Sequence, residues 1–134
     1  GGLPIGATLL GEKAESVLGF GDHGSTFGGN PIACAGALSI LHRLDEPFLD
    51  EVKQKSAYVF SSLSGAPGVE AVSGLGLMIG IKTQKPAAEV IRLCMEKGVL
   101  CLSAKDKVRL LPALNIPFDI LKQAVRIILE ACAE

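Results

Sequence analysis

His23-Gly24-Ser25-Thr26-Phe27-Gly28-Gly29-Asn30-Pro31 is the stretch on which the reading of this chain turns. Its glycines free the backbone to aim N–H groups inward, and Ser25 and Thr26 add hydroxyl donors. Asn30 suits a helix N-cap and Pro31 the first helical position, so a helix should begin directly behind the loop. Donors gathered at a helix N-terminus are the parts of an anion site, and phosphate is the anion they fit. No Gly-Lys-Ser/Thr follows, so this is not a P-loop. A glycine-rich turn capped by Asn30 accounts for the same residues, and spacing alone leaves both readings open.

Upstream, residues 19–29 are glycine-rich and lack periodicity, which predicts a loop. Before them, glycines frame an apolar stretch from Ile5 to Leu10, which predicts a strand behind a tight turn. The opening Gly1-Gly2-Leu3-Pro4-Ile5-Gly6-Ala7 has no methionine and reads as the middle of something, so the expectation is a fragment of a longer chain.

Downstream, a helix is predicted from Ile32 to about Leu44, with Ala33, Cys34, Ala35, Gly36 and Ala37 making it slim enough to lie close to other backbone. Asp45-Glu46-Pro47 breaks the pattern and restarts it. Phe48, Leu49, Val52, Val59, Phe60 and Leu63 then mark one face of a second helix, with Glu51, Lys53, Gln54 and Lys55 expected mostly in water. Ser64-Gly65-Ala66-Pro67-Gly68 is the best domain boundary, giving parts 1–66 and 67–134. Beyond it, Val69 to Val72 and Leu77 to Ile81 are predicted extended, with Gly74 and Gly76 suggesting a kink or bulge. Pro86 to Lys97 reads as a short amphipathic helix closed by Gly98. Val99 to Leu102 and Val108 to Leu111 read as strands, and Pro117 opens a last helix. The fold class is therefore α/β, with a small βαββα-like domain carried on a helical arm and a stub of a larger sheet.

The 134 residues are 49% hydrophobic and 20% charged, enough for a packed core and against disorder. A formal net charge of -1 leaves no basic excess for nucleic acid or an anionic membrane surface. No apolar run is long enough to span a bilayer. Cys34, Cys94, Cys101 and Cys132 show no C-x-x-C spacing and sit in apolar stretches, which suits buried reduced thiols in a cytoplasmic protein rather than a metal site. His23 reads as a turn-stabilising imidazole, and His42 as favourable charge at a helix C-terminus.

The segment Gly21 to Pro31, continued by Ile32-Ala33-Cys34-Ala35, closely resembles its counterpart in class III pyridoxal-phosphate aminotransferases, the acetylornithine type above all. Further likenesses follow in order. Gly1 to Ala7 looks like the segment after that family's Schiff-base lysine, Gly76-Leu77-Met78-Ile79-Gly80-Ile81 like a strand of its C-terminal domain, and Val108-Arg109-Leu110-Leu111-Pro112 with Leu114-Asn115-Ile116 like its late arginine motif.

The resemblance implies the C-terminal part of a fold-type I aminotransferase, which uses pyridoxal phosphate to move an amino group from a small-molecule donor to a 2-oxo acid. Thr26 would donate to the cofactor phosphate across a homodimer interface, Ser25 would lie near substrate, and Arg109 would grip a substrate carboxylate through two parallel hydrogen bonds. Without the resemblance, Arg109 is an edge arginine with its stem packed and its head in water. The lysine that carries the cofactor would precede Gly1, so the 134 residues alone are expected to be inactive and to hold the cofactor poorly. Lys13, Lys53, Lys55, Lys82, Lys85, Lys97, Lys105, Lys107 and Lys122 do not occupy its position and read as solvated charges. Two departures, Cys101-Leu102-Ser103-Ala104-Lys105-Asp106 and Ser73-Gly74-Leu75, remove no catalytic group but loosen the substrate assignment. Sister enzymes acting on ornithine, succinylornithine or 4-aminobutyrate stay open, as does a free-standing α/β interaction module.

Overall fold

The computed structural model describes residues 2–134. They fall into two compact units, one running to Phe48 and the other from Leu49 to Glu134.

The first unit contains one complete helix, α1 (Pro31–Leu41). Asn30 caps it as the sequence predicts: its side-chain oxygen accepts from the Ala33 N–H at 2.9 Å, and Pro31 takes the first position. The helix stops at Leu41, short of Leu44, because the Arg43 and Leu44 N–H groups turn back to the carbonyls of Ile40 and Leu41 three residues earlier. His42 is the C-cap. The predicted strand from Ile5 to Leu10 does not form. Among the described residues that stretch has no neighbouring strand to complete a ladder, and a strand exists only by pairing. Helix α2 (Glu46–Leu63) is started by Asp45, whose carboxylate accepts from the Phe48 N–H at 3.0 Å.

The second unit is an antiparallel sheet with helices packed on it. Its strands are β1 (Val69–Leu75), β2 (Met78–Thr83), β3 (Leu102–Ala104) and β4 (Lys107–Leu110), in the order β1-β2-β4-β3. Helix α3 (Ala87–Glu96) lies between β2 and β3 in sequence, and α4 (Phe118–Ala133) follows β4. Gly74 and Gly76 do not kink a single strand: they turn the chain back on itself, and Leu75 pairs with Met78 across a hairpin. Gly76 has φ +57 and Gly74 φ +143, and a side chain at Gly74 would strike the Met78 carbonyl. The third strand begins at Leu102 rather than Val99, because the Val99 N–H is taken by the Cys94 carbonyl (2.8 Å) in closing α3. Ser103 and Ala104 pair instead with β4 through a turn in which Lys105 adopts φ +56.

Alternation sets the core. Ile79, Ile81, Val108 and Leu110 point to one face of the sheet, where Val59 and Leu63 of α2, Val90 and Cys94 of α3, and Leu121, Val125 and Ile128 of α4 join them. Each such side chain contributes about 1.5–3 kcal/mol when fully withdrawn from water. Met78, Gly80, Lys82, Lys107 and Arg109 occupy the opposite face. At the entry to β1, Gly68 has φ +77, and the main-chain carbonyl of Cys132 sits where its side chain would be. Lys55 departs most from expectation. It is only 1% exposed, with its ammonium 2.7 Å from Glu51 and 3.2 Å from the Leu114 carbonyl that it donates to. It falls on the face of α2 shared with Val52, Val59 and Leu63, and its charge stays inside because both contacts answer it.

Candidate functional site

The loop before α1 is built by three local bonds. The Gly28 N–H donates to the Ser25 carbonyl (3.3 Å), the Asn30 amide donates to the Phe27 carbonyl (3.0 Å), and Asn30 caps Ala33. Ser25 therefore folds over Gly28 so closely that a Cβ there would lie 2.9 Å from the Ser25 Cβ and 3.0 Å from its Oγ. Only glycine permits that turn. Gly29, at φ +67, then swings the chain into the helix. Ser25 and Thr26 are both exposed, next to each other, on a turn that runs into the N-terminus of α1. No acidic residue stands in the first turn of that helix to compete for an anion. Hydroxyl donors, a glycine cradle and an acid-free helix start fit a phosphate group. Asp22 is occupied locally, accepting from the Gly19 N–H at 2.6 Å, and His23 is exposed.

Beneath α1, Leu3, Ile5, Ala33, Gly36, Ala37 and Ile40 line an apolar recess of about 290 Å³. The Leu3 side chain approaches so near Gly36 that a Cβ there would lie 3.2 Å from it, which explains the small residues of this helix.

Arg109 belongs to the second unit. It sits on β4 between buried Val108 and Leu110, register-paired with Gly80 on one side and Leu102 on the other. Its Nε is enclosed and has no hydrogen-bond partner among the described residues. An unanswered guanidinium nitrogen needs an acceptor, and a carboxylate is the acceptor its planar fork fits best. The same residue borders an apolar recess of about 190 Å³ lined also by Cys101, Leu110, Leu121, Val125 and Ile128.

Lys107 and Gly80, missed by the sequence reading, share the face with Arg109. The Lys107 ammonium donates to Ser73 Oγ at 3.0 Å, and its stem crosses Gly80 so closely that a Cβ there would lie 3.2 Å from Lys107 Cδ. Period-two spacing from Arg109 was the signal that could have found Lys107. Among the thiols, Cys94 and Cys132 are buried, while Cys34 and Cys101 are only half-buried, less than the sequence led one to expect. A hydrogen bond with Cys101 lowers the Cys94 thiol pKa and raises that of Cys101, which burial raises further.

A sequence profile of the family Aminotransferase class-III matches residues 1–132. The chain belongs to the class III aminotransferases. Among its relatives, the acetylornithine aminotransferase of Haemophilus ducreyi is 44% identical, the match covering 100% of this chain and 35% of that protein. The acetylornithine aminotransferase of Streptomyces coelicolor is 43% identical over 91% of this chain and 32% of its own length. In structure, the ornithine aminotransferase of Toxoplasma gondii superposes with a TM-score of 0.74 at 30% identity, covering 87% of this chain and 30% of that one. The acetylornithine aminotransferase of Elizabethkingia anophelis gives 0.72 at 29% identity, covering 86% and 31%. The chain thus spans about a third of the length of the relatives it matches. The small sheet with its helices agrees with a part of the fold-type I aminotransferase architecture.

Proposed function

We propose that this chain is the C-terminal part of an aminotransferase that moves an amino group between N-acetylornithine and 2-oxoglutarate, a step of arginine biosynthesis in the cytoplasm. Pyridoxal phosphate, when bound, supplies the electron sink for that exchange. Thr26 holds its phosphate through the hydroxyl, across the interface of a homodimer, and the N-terminus of α1 adds a favourable field. Ser25 lies toward the substrate. Arg109 orients the substrate by gripping a carboxylate, which fixes the reacting carbon relative to the cofactor. Residues 1–66 comprise the end of the larger cofactor-binding domain with its connecting helices, and 67–134 the small C-terminal domain. The lysine that holds the cofactor lies upstream, so the 134 residues alone do not catalyse transfer.

The observation that carries this reading is the turn from Ser25 to Gly28, which sets two exposed hydroxyls ahead of an acid-free helix start. A second reading, ornithine itself as donor, is favoured by the likeness to the Toxoplasma gondii ornithine aminotransferase. The first reading is tested in the full-length enzyme by Thr26→Val, which keeps shape and removes the hydroxyl. A bond to a charged group contributes roughly 1.5–3 kcal/mol, so cofactor affinity should fall about ten- to a hundredfold. Unchanged affinity would overturn the assignment of Thr26. Relative turnover of N-acetylornithine and ornithine decides between the two donors.

A further inference from the structure

We propose that Lys107 is a second anion-binding group beside Arg109, so that the outer face of the sheet selects a short dicarboxylate by holding one carboxylate on each cation. The proposal rests on the reading of Arg109 as a carboxylate clamp. Lys107 and Arg109 are two apart on β4 and therefore project to the same face, their Cα atoms about 7 Å apart. The third cation of that face, Lys82, is matched by Glu70 at 3.3 Å. Among the described residues no carboxylate answers Lys107 or Arg109. The face thus carries two unneutralised positive charges side by side, which an ion with two negative charges relieves.

The Lys107 ammonium is also held in place rather than waving in water. Gly80 leaves a channel across β2 in which the stem lies, and Ser73 Oγ, which itself donates to the Gly80 carbonyl (3.4 Å), receives one of the three ammonium hydrogens at 3.0 Å. Two hydrogens remain for a ligand. A stem already fixed loses little further freedom on binding, so the contact is stronger than one from a mobile surface lysine. Gly80 is register-paired with Arg109, so it sets the floor of the site between the two cations. In the reaction proposed above, such a site distinguishes an amino acceptor with two carboxylates from one with a single carboxylate.

The test is an amide NMR titration of the 134-residue chain at low salt with glutarate, the two-carboxylate probe, and with butyrate, its one-carboxylate counterpart. Glutarate should shift the Ser73, Gly80 and Val108 signals saturably and bind about tenfold more tightly than butyrate, the factor one charge-assisted contact supplies. Lys107→Met should erase that advantage while leaving butyrate affinity as it was, and Lys107→Arg should keep most of it. Gly80→Ala, which displaces the stem without removing a charge, should weaken glutarate alone. Absence of saturable glutarate shifts, equal affinities in the native chain, or equal loss of both probes in Lys107→Met would overturn the proposal. Arg109→Gln tests the underlying clamp separately: if butyrate binds that variant as well as the native chain, the Arg109 reading fails whatever Lys107 does.

Discussion

The ammonium of Lys55 donates to the main-chain carbonyl of Leu114, 3.2 Å away across 59 residues of sequence. This bond ties α2 to the connection between β4 and α4, a segment with little regular structure of its own. Lys55→Met keeps the buried stem and removes the charge, leaving the Leu114 carbonyl without its donor. The loss should be about 1–3 kcal/mol, read as a lower urea midpoint with an unchanged slope. Glu51→Gln, which leaves the Leu114 bond intact, should cost less.

Asn30→Ala removes the acceptor for the Ala33 N–H and the donor to Phe27. Helix α1 should lose about 0.5–2 kcal/mol, visible as faster amide exchange at Ala33 and Cys34. Asn30→Asp, which can still cap, should retain protection at Ala33. Equal exchange in all three chains would show that the cap contributes nothing.

Asn30-Pro31 was legible in the sequence because a cap acts within four residues and needs no distant partner. Lys55 was not, although its spacing from Val52 and Val59 puts it on the buried face. The charge suggested water, and burial becomes tolerable only with Glu51 and the distant Leu114 carbonyl both answering the ammonium. The stretch from Ile5 to Leu10 has strand composition, but pairing decides a strand. Gly74 and Gly76 marked the right place yet could not say whether the chain bends or reverses, since both require glycine. For the candidate site, Ser25 and Thr26 were legible as hydroxyl donors ahead of a helix start and, like Arg109, were singled out by motif likeness. Lys107 emerged only from the face it shares with Arg109.

Gly74→Ala puts a side chain into the Met78 carbonyl at φ +143, a backbone region L residues rarely adopt. Hairpin strain of this kind costs on the order of 1–3 kcal/mol before the collision is counted. Thermal unfolding of the second unit should shift down by at least about 4 °C. Gly98→Ala meets no such collision and should cost less, although its φ of +86 is also positive.

Burial is the main force raising the Cys132 thiol from 9.0 to about 11, with Cys94 adding to it and Lys85 opposing. The folded state therefore holds the proton more tightly than the unfolded one. Stability from this group is complete below the ordinary value and is lost as pH climbs from about 9 to about 11. The loss amounts to roughly 2 kcal/mol. Urea midpoints across that range should decline, and Cys132→Ala should flatten the decline even if it lowers stability at neutral pH. An alkaline limb identical in both chains would assign the effect elsewhere.

In the full-length enzyme, a mixed dimer checks whether Thr26 acts in trans. One subunit carries Thr26→Val and the other lacks the cofactor-holding lysine. The lysine-competent site then faces an intact threonine from its partner, and near-normal cofactor affinity should return there. Affinity as weak as in the doubly substituted dimer would show that Thr26 serves its own subunit.

The contact between Gly68 and the backbone of Cys132 also has a temporal meaning. A ribosome makes the residue that opens the sheet long before it makes the helix turn that rests on it. Meanwhile Ile79 and Ile81 have Val59 and Leu63 of α2 to pack against but not Leu121, Val125 and Ile128, which have not yet been synthesised. Nascent chains in that interval present an open apolar surface to chaperones and to one another. The time taken to translate residues 84–133 therefore sets how long the growing polypeptide lacks the cover that α4 supplies.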